Sequence, residues 1–221
     1  MAFASTTMKV LVASPSDLRE ERDAAEAAIA EWNAIHAEAE GVVLLPVRWE
    51  TSVFPVANRR PQAAINQQIV DQADILIGLF WTRIGSNTGV AISGTVEEID
   101  RFVAASKPAM IYFSERAINP STIDVAQLAS LKDFQATTYK TALTGSFATP
   151  AELTHHLFKH LTSLLRTMVK PRTTALRPSK VREMTEMIIA LKAAGIGPAE
   201  AERDDHLGHL ANLRRPERSS T

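Results

Sequence analysis

The sequence contains no cysteine among its 221 residues. This absence excludes a disulfide framework, a thiolate metal site and a cysteine nucleophile, and it is typical of a reducing compartment. An excess of charge of either sign is also lacking, because 24 basic and 25 acidic residues leave a formal net charge of -1. The charge balance therefore predicts no nucleic-acid partner and no attraction to an anionic membrane surface.

Long apolar runs and the common nucleotide-binding motifs are missing as well. No stretch approaches the roughly 18 apolar residues of a membrane helix, and residues 1–7 lack the basic and apolar segments of a signal peptide. We therefore expect a cytoplasmic protein. The glycines Gly85 and Gly89 are not followed by the Gly-Lys-Ser/Thr of a P-loop, and neither Gly-x-Gly-x-x-Gly after the first strand nor Gly-x-Ser-x-Gly occurs.

Short β-branched runs alternate with amphipathic stretches along the chain, which predicts a parallel sheet with helices on both faces. The most hydrophobic run, residues 74–81, lacks alternation and predicts a central strand, whereas Pro46 predicts that its strand lies at an edge. The predicted strands are residues 9–13, 42–49, 74–81, 108–113 and 137–139. Between them, the predicted helices end near residues 39, 73 and 133, a short helix opens at residue 93, and a last helix covers residues 150–169.

We predict a five-stranded, flavodoxin-like α/β domain over residues 8–169, a linker at 170–179 and a C-terminal helical extension at 180–221. The extension contains one amphipathic helix, at residues 180–194, whose apolar face has to be buried on this domain or on a neighbour. It therefore predicts a homo-oligomer or a partner protein.

The end of the first strand carries several polar residues. Ser16 or Asp17 is predicted as the N-cap of the first helix, since Asp17 and Glu20 have the spacing of a capping box. Arg22 lies on the apolar stripe of that helix, together with Leu18 and Ile35. A guanidinium there needs a carboxylate or carbonyl partner. Two interpretations stay open for Arg22, a structural ion pair or snorkelling side chain and a role in a cleft at the strand end.

Two neighbouring glutamates begin the helix that follows the central strand. On a helical wheel of about 100° per residue, Val96, Ile99, Phe102 and Val103 face the sheet. Glu97 falls opposite them and predicts a solvated acid paired with Arg101. Glu98 falls at the border of the apolar face, where a carboxylate can point into a cleft at the strand ends or serve as an ordinary helix-start acid.

Histidines and tryptophans offer weaker candidates. His156 and His160 have i,i+4 spacing, but the sequence around them lacks the glutamate of the zincin motif and a third ligand, so no metal site is predicted. Trp49, Trp81 and Phe54 lie at strand ends. They could stack on a base or simply pack in the core or the loops.

Five segments resemble a bacterial family of TIR-like domains catalogued as a domain of unknown function. They are residues 12–22, 46–50, 74–83, 93–99 and 107–114, and the resemblance covers roughly residues 8–165. It implies a flavodoxin-like fold in the wider grouping of TIR domains and nucleoside deoxyribosyltransferases. Gly94-Thr95-x-x-Glu98 is also similar to the Gly-Thr-x-x-Glu motif of the deoxyribosyltransferases, which implies that Glu98 is the catalytic residue. Ile92-Ser93 departs from that motif, where an aspartate commonly precedes the glycine.

The resemblance implies cleavage of an N-glycosidic bond, with NAD+ as the expected substrate and no cofactor. Glu98 would attack or stabilise the oxocarbenium-like centre, and the expected partner is a nucleotide-type small molecule. The expected substrate-binding residues are Ser14, Ser16, Trp49, Trp81, Arg83, Ser93 and Thr95, with Arg22 and Asp17 in support. Two alternatives stay open, a non-catalytic TIR-like module that binds a protein or a nucleotide signal and a nucleoside deoxyribosyltransferase.

Overall fold

The computed structural model of the chain describes residues 2–52, 54, 60–168 and 186. The chain divides into two units, Met1–Pro171 and Arg172–Thr221, and the fold described below is that of the first. The predicted linker at 170–179 and the predicted extension at 180–221 lie outside the described residues, apart from Glu186.

Within the described residues, five parallel strands form one sheet. They are β1 Thr6–Ala13, β2 Val42–Val47, β3 Ile75–Phe80, β4 Ala109–Ser114 and β5 Gly145–Phe147. Their order, β2-β1-β3-β4-β5, is the predicted flavodoxin-like winding. All six residues of β3 are buried, which confirms the central strand, and β2 with Pro46 lies at the edge as predicted.

Helices cover both faces of the sheet. They are α1 Arg19–Glu40, α2 Trp49–Ser52, α3 Pro61–Ile65, α4 Gly94–Ala104, α5 Val125–Thr141 and α6 Pro150–Met168. Helix α3 runs on into a π-helical turn at Asn66–Val70. Trp32 of α1 and Leu157 of α6 belong to the core on one face, and Phe102 of α4 and Leu131 of α5 to the core on the other. Alternate residues of β1 contribute to the two cores.

The start of α1 differs from the prediction. Leu18 occupies the N-cap position and gives no side-chain cap to the helix. The carboxylate of Asp17 instead accepts hydrogen bonds from the main-chain N–H (3.1 Å) and the hydroxyl (2.7 Å) of Thr82. The predicted cap by Ser16 or Asp17 is therefore wrong, because a contact with the loop after β3 uses the aspartate.

The predicted fifth strand is also wrong. Residues 137–139 belong to α5, which extends to Thr141, and the Thr138 hydroxyl donates to the Phe134 carbonyl one turn earlier. The fifth strand is β5, which is only three residues long. So short a strand cannot produce a recognisable alternation of apolar and polar residues.

Two residues assigned to apolar faces are exposed to solvent instead. Ile35 of α1 is 58% exposed and Val103 of α4 is 63% exposed. These helices cover the sheet with a narrower apolar face than the wheel assigns to them. None of the described helices is both long and apolar enough to span a bilayer.

Candidate functional site

A cavity of about 330 Å³ opens where β1, β2 and β3 end. In the sheet, β2 and β3 lie on opposite sides of β1, so the direction of strand addition reverses there. The cavity therefore lies at the topological switch point, where open α/β sheets bind ligands. Its volume is near the lower end of the roughly 300–1,000 Å³ of small-molecule sites. The lining residues are Ser14, Pro15, Ser16, Trp49, Gln62, Ile65, Arg83, Gly85, Ser86, Gly94, Thr95, Glu98 and Gln127.

Glu98 is the fifth residue of α4, lines this cavity and is only 7% exposed. The Gln62 Nε2 donates a hydrogen bond of 3.0 Å to its Oε1. Among the lining residues in the described part of the chain, Glu98 is the only one with a carboxylate, and Arg83 is the only one with a cationic side chain. Of the acids that the structure describes, Glu98 is thus the one that faces the cavity.

Ser93 sets the start of α4. Its hydroxyl oxygen accepts from the Val96 N–H at 3.2 Å, so Ser93 is an N-cap of the ordinary serine kind. Ser93 is fully buried and acts behind the cavity wall, while Gly94 and Thr95 form part of that wall. The cap thus fixes the helix turn from which Glu98 projects.

Glu97 is not the solvated acid that the helical wheel predicts. It is 5% exposed, and its carboxylate accepts from Arg60 (2.6 and 2.9 Å), Thr88 (2.6 Å) and Asn66 (2.7 Å). Arg101, the predicted partner, forms a bidentate ion pair with Asp71 instead. The prediction is wrong because side chains from outside α4, those of Arg60, Asn66 and Thr88, surround Glu97.

The hydrogen bond from Arg60 is the main reason that the pKa of Glu97 lies at about 2, below its ordinary 4.5, with Thr88 and Asn66 adding to the effect against the opposing effect of burial. The same ion pair raises the pKa of Arg60. Glu97 is therefore an ionised structural anchor whose oxygens are all engaged. This leaves Glu98 as the acid of the pair that faces the cavity.

At the end of β1, a buried arginine holds the turn that forms one wall. The Arg22 Nη1 donates to the Ser14 hydroxyl at 2.8 Å and to the Pro15 carbonyl at 2.9 Å. Arg22 is buried, with 8% of its surface exposed, and a buried guanidinium requires a hydrogen-bond partner. The Pro15 carbonyl is a partner of the kind predicted for it. Ser14 and Ser16 of this turn line the cavity. Asp17 is not among the lining residues that the structure describes, and its carboxylate accepts a hydrogen bond from the Thr82 hydroxyl.

The two predicted tryptophans differ in position. Trp49 is 48% exposed and forms part of the cavity wall. Among the described residues, Trp81 is not part of the cavity lining. The Arg116 guanidinium lies 3.7 Å from the centre of the Trp81 ring, and the Trp81 Nε1 donates to the Arg116 carbonyl. Arg83 lines the cavity and forms a 3.6 Å ion pair with Asp124, both being about half-exposed. Phe54 is exposed.

Sequence reasoning missed two glutamines. Gln62 lies between Glu98 and Asn66, and the Gln127 Oε1 accepts from the main-chain N–H groups of Ile84 (3.1 Å) and Gly85 (3.0 Å). Gln62 follows Pro61 at the start of a helix, and Gln127 lies in the first turn of α5. A glutamine in a first helical turn looks like a surface residue, so only its spatial partners reveal its role.

The histidines of α6 gather no metal-binding set. The His160 Nδ1 is hydrogen-bonded to the buried Tyr112 hydroxyl at 2.6 Å, and its ring stacks on that of His156. In the described residues, no three His, Asp or Glu side chains come close enough together to hold a metal ion.

Comparisons with known proteins give a family and a coarse fold likeness. Azoreductase from Bacillus anthracis str. Sterne is 8% identical, with a TM-score of 0.38, over 72% of this chain and 99% of that chain. An Era variant from Aquifex aeolicus bound to GDP.AlF4- is 9% identical, with a TM-score of 0.33, over 75% of this chain and 56% of that chain. Neither likeness carries a functional argument, and no curated protein matches the sequence. The model of one family matches residues 9–162, which contain the whole cavity lining, and the chain therefore belongs to that family, described as Domain of unknown function (DUF4062).

Proposed function

We propose that the protein cleaves the N-glycosidic bond between nicotinamide and ribose in NAD+, with Glu98 as the catalytic carboxylate. The observation that carries the proposal is the position of Glu98, a nearly buried carboxylate facing a cavity at the sheet's switch point. The resemblance of Gly94-Thr95-x-x-Glu98 to the Gly-Thr-x-x-Glu motif of deoxyribosyltransferases, and of the chain to TIR-like domains, directs that carboxylate to glycosidic chemistry.

The chemistry requires little besides this acid. The bond from C1′ to the pyridinium nitrogen breaks, and its electron pair leaves with nicotinamide, which becomes neutral and needs no protonation. The developing oxocarbenium ion is then stabilised by the Glu98 carboxylate or trapped by it as an ester. Water then adds to C1′ and loses a proton to solvent, and where the ester has formed its bond to C1′ breaks and the Glu98 carboxylate is released. The Glu98 carboxylate, whose neighbour Glu97 is engaged by Arg60, Thr88 and Asn66, matches this requirement.

The remaining lining residues suit a dinucleotide of this kind. The half-exposed Trp49 ring offers a face on which a nicotinamide ring can stack. The Arg83 guanidinium supplies a positive charge for a phosphate, and the hydroxyls of Ser14, Ser16 and Thr95 supply partners for ribose or phosphate oxygens.

Nicotinamide release by the purified full chain tests the proposal. We expect the wild-type protein to convert NAD+ to nicotinamide and ADP-ribose, and Glu98→Gln to lower kcat on the order of 100-fold or more, because the amide cannot stabilise a cation. Asp100→Asn is the matched control, since it removes an exposed carboxylate from the same helix and should leave the rate unchanged.

Two further arms separate the alternatives. Exchange of bases between deoxynucleosides, lost in Glu98→Gln, would replace the proposal with deoxyribosyl transfer. Binding of NAD+ measured by calorimetry, without turnover in either protein, would replace it with a ligand-binding module. Nicotinamide release that is equal in wild type and Glu98→Gln would reject Glu98 as the catalytic residue.

A further inference from the structure

Two amide side chains connect the neighbouring glutamates of α4. The Asn66 Nδ2 donates to the Glu97 Oε1 at 2.7 Å, and the Gln62 Nε2 donates both to the Asn66 Oδ1 at 3.1 Å and to the Glu98 Oε1 at 3.0 Å. Gln62 and Asn66 are four residues apart along α3 and its π-helical continuation, so their side chains lie on the same side. We call these two residues the amide bridge.

The ionised Glu97 determines which way each amide points. A carboxylate only accepts hydrogen bonds, so Asn66 has to present its Nδ2 to Glu97 and its Oδ1 to Gln62. Gln62 then has to present its Nε2 to Asn66, and the second hydrogen of that nitrogen points at Glu98. A rotated Gln62 amide would place its oxygen against both the Asn66 oxygen and the Glu98 carboxylate, which is repulsive.

Gly94 provides the space for this arrangement. A Cβ atom on Gly94 would lie 2.5 Å from the Gln62 Oε1 and 3.2 Å from the Gln62 Cδ. Any larger residue would therefore push the Gln62 amide away from its present position between Asn66 and Glu98. The glycine of the Gly94-Thr95-x-x-Glu98 segment thus affects Glu98 through a side chain from another helix.

We propose that Gln62 is a positioning residue for Glu98, that Asn66 and Glu97 fix its orientation, and that Gly94 is required to admit it. This inference rests on the proposed function and deepens it. The amide holds the carboxylate at one angle to the cavity and keeps a donor against it. Loss of this donor weakens the hold on the angle of the carboxylate, which lowers the fraction of molecules in the reactive geometry.

Kinetics of nicotinamide release by the full chain test the inference. Gln62→Met keeps the length of the side chain without its hydrogens, and Gln62→Glu replaces the donor with an acceptor. Both should lower kcat about 10–100-fold, the order of loss expected when a reacting group is misplaced, and leave KM unchanged. Gln67→Met is the matched control, because Gln67 is an exposed glutamine of the same helical stretch, and should behave like wild type.

A double-substitution cycle tests the part played by Gly94. Gly94→Ala should lower kcat as Gln62→Met does, and the protein with both substitutions should lose no more than Gln62→Met alone. A raised KM with an unchanged kcat in Gln62→Met would overturn the inference, since Gln62 would then contact the ligand. Multiplied losses in the double variant would overturn it too. If Gly94→Ala does not fold, kcat and KM of Gln62→Met and Gln62→Glu still test whether Gln62 positions Glu98.

The same proteins keep the inference separate from the proposed function. If the wild type does not release nicotinamide in a Glu98-dependent way, the proposed function fails. The amide bridge can then be tested by the midpoint of urea unfolding of Gln62→Met, Gly94→Ala and the protein with both substitutions. A midpoint shift in the double variant equal to that of Gln62→Met supports the amide bridge. Additive shifts reject it.

Discussion

Arg60 forms a two-pronged ion pair with Glu97, in which Nη2 lies 2.6 Å from Oε1 and Nη1 lies 2.9 Å from Oε2. The same Nη1 also donates to the Thr88 carbonyl at 3.1 Å. One buried carboxylate thus connects three separate segments: the residue before α3, the loop after β3 and the first turn of α4. These are the segments that surround the Glu98 side of the cavity.

Loss of the Glu97 charge should destabilise the fold. Glu97→Gln keeps the size of the side chain but weakens its bonds to Arg60, so we expect the free energy of unfolding to fall by about 1.5–3 kcal/mol, the range for hydrogen bonds to charged groups. Urea unfolding at neutral pH measures it. Asp100→Asn on the same helix should change the free energy of unfolding little, and equal effects of the two substitutions would contradict the role given to Glu97.

The Glu97 carboxylate should also make the free energy of unfolding depend on pH. Its pKa is about 2 in the folded chain and about 4.5 when unperturbed, so the ionised form favours the folded state. The contribution is complete above pH 4.5 and is lost as the pH falls from there towards 2. We therefore expect the stability gap between wild type and Glu97→Gln to close over this window in urea titrations at several pH values. A constant gap would contradict the assignment.

His160 should produce a separate dependence near neutral pH. Burial, followed by the charges of His156 and Lys159, lowers the pKa of His160 below 6.5, and its Nδ1 faces the buried Tyr112 hydroxyl of β4. The unfolded chain therefore takes up a proton first, and stability should decline as the pH falls below about 6.5. His160→Gln should remove this decline, whereas His155→Gln, at an exposed position of the same helix, should retain it.

Gln127 should control the order of the loop after β3. Its side chain accepts from the N–H groups of Ile84 and Gly85 and donates to the Gly85 carbonyl at 3.2 Å. Gln127→Leu would leave these main-chain groups without that partner, at a cost of about 1–3 kcal/mol. We expect faster amide hydrogen exchange at Ile84 and Gly85, with exchange in β3 unchanged. Exchange that stays slow at both residues would show that Gln127 does not hold the loop.

The sheet could be predicted from the sequence because its strands have local signatures. The continuous apolar run of β3 and the proline in β2 are properties of single segments, and they indicate the central and the edge strand. The strand β5 has only three residues and no such signature, so its position follows from pairing with β4 and not from its own composition.

The sequence predicts a site residue only where its position follows from the helix that contains it. The wheel brings Glu98 to the border of the apolar face of α4, where the cavity lies. It fails for Glu97, because the groups that bury it, Arg60, Asn66 and Thr88, come from other segments. Gln62 and Gln127 were missed for the same reason, since their partners are 36 and 43 residues away in sequence.

The serine cap of α4 has a consequence for how this segment can change. Ser93 fixes the first residue of the helix, and each later residue turns by about 100° around the axis. Glu97 and Glu98 reach different surroundings only because they stand four and five places after that cap. A one-residue insertion between Ser93 and Glu97 would move Glu97 to the cavity position and Glu98 to the position of the buried Ile99, whereas a one-residue deletion there would move Glu98 to the anchor position and Glu97 to that of the buried Val96. The number of residues between the cap and the two acids is therefore constrained, and variation in length has to occur outside residues 93–98.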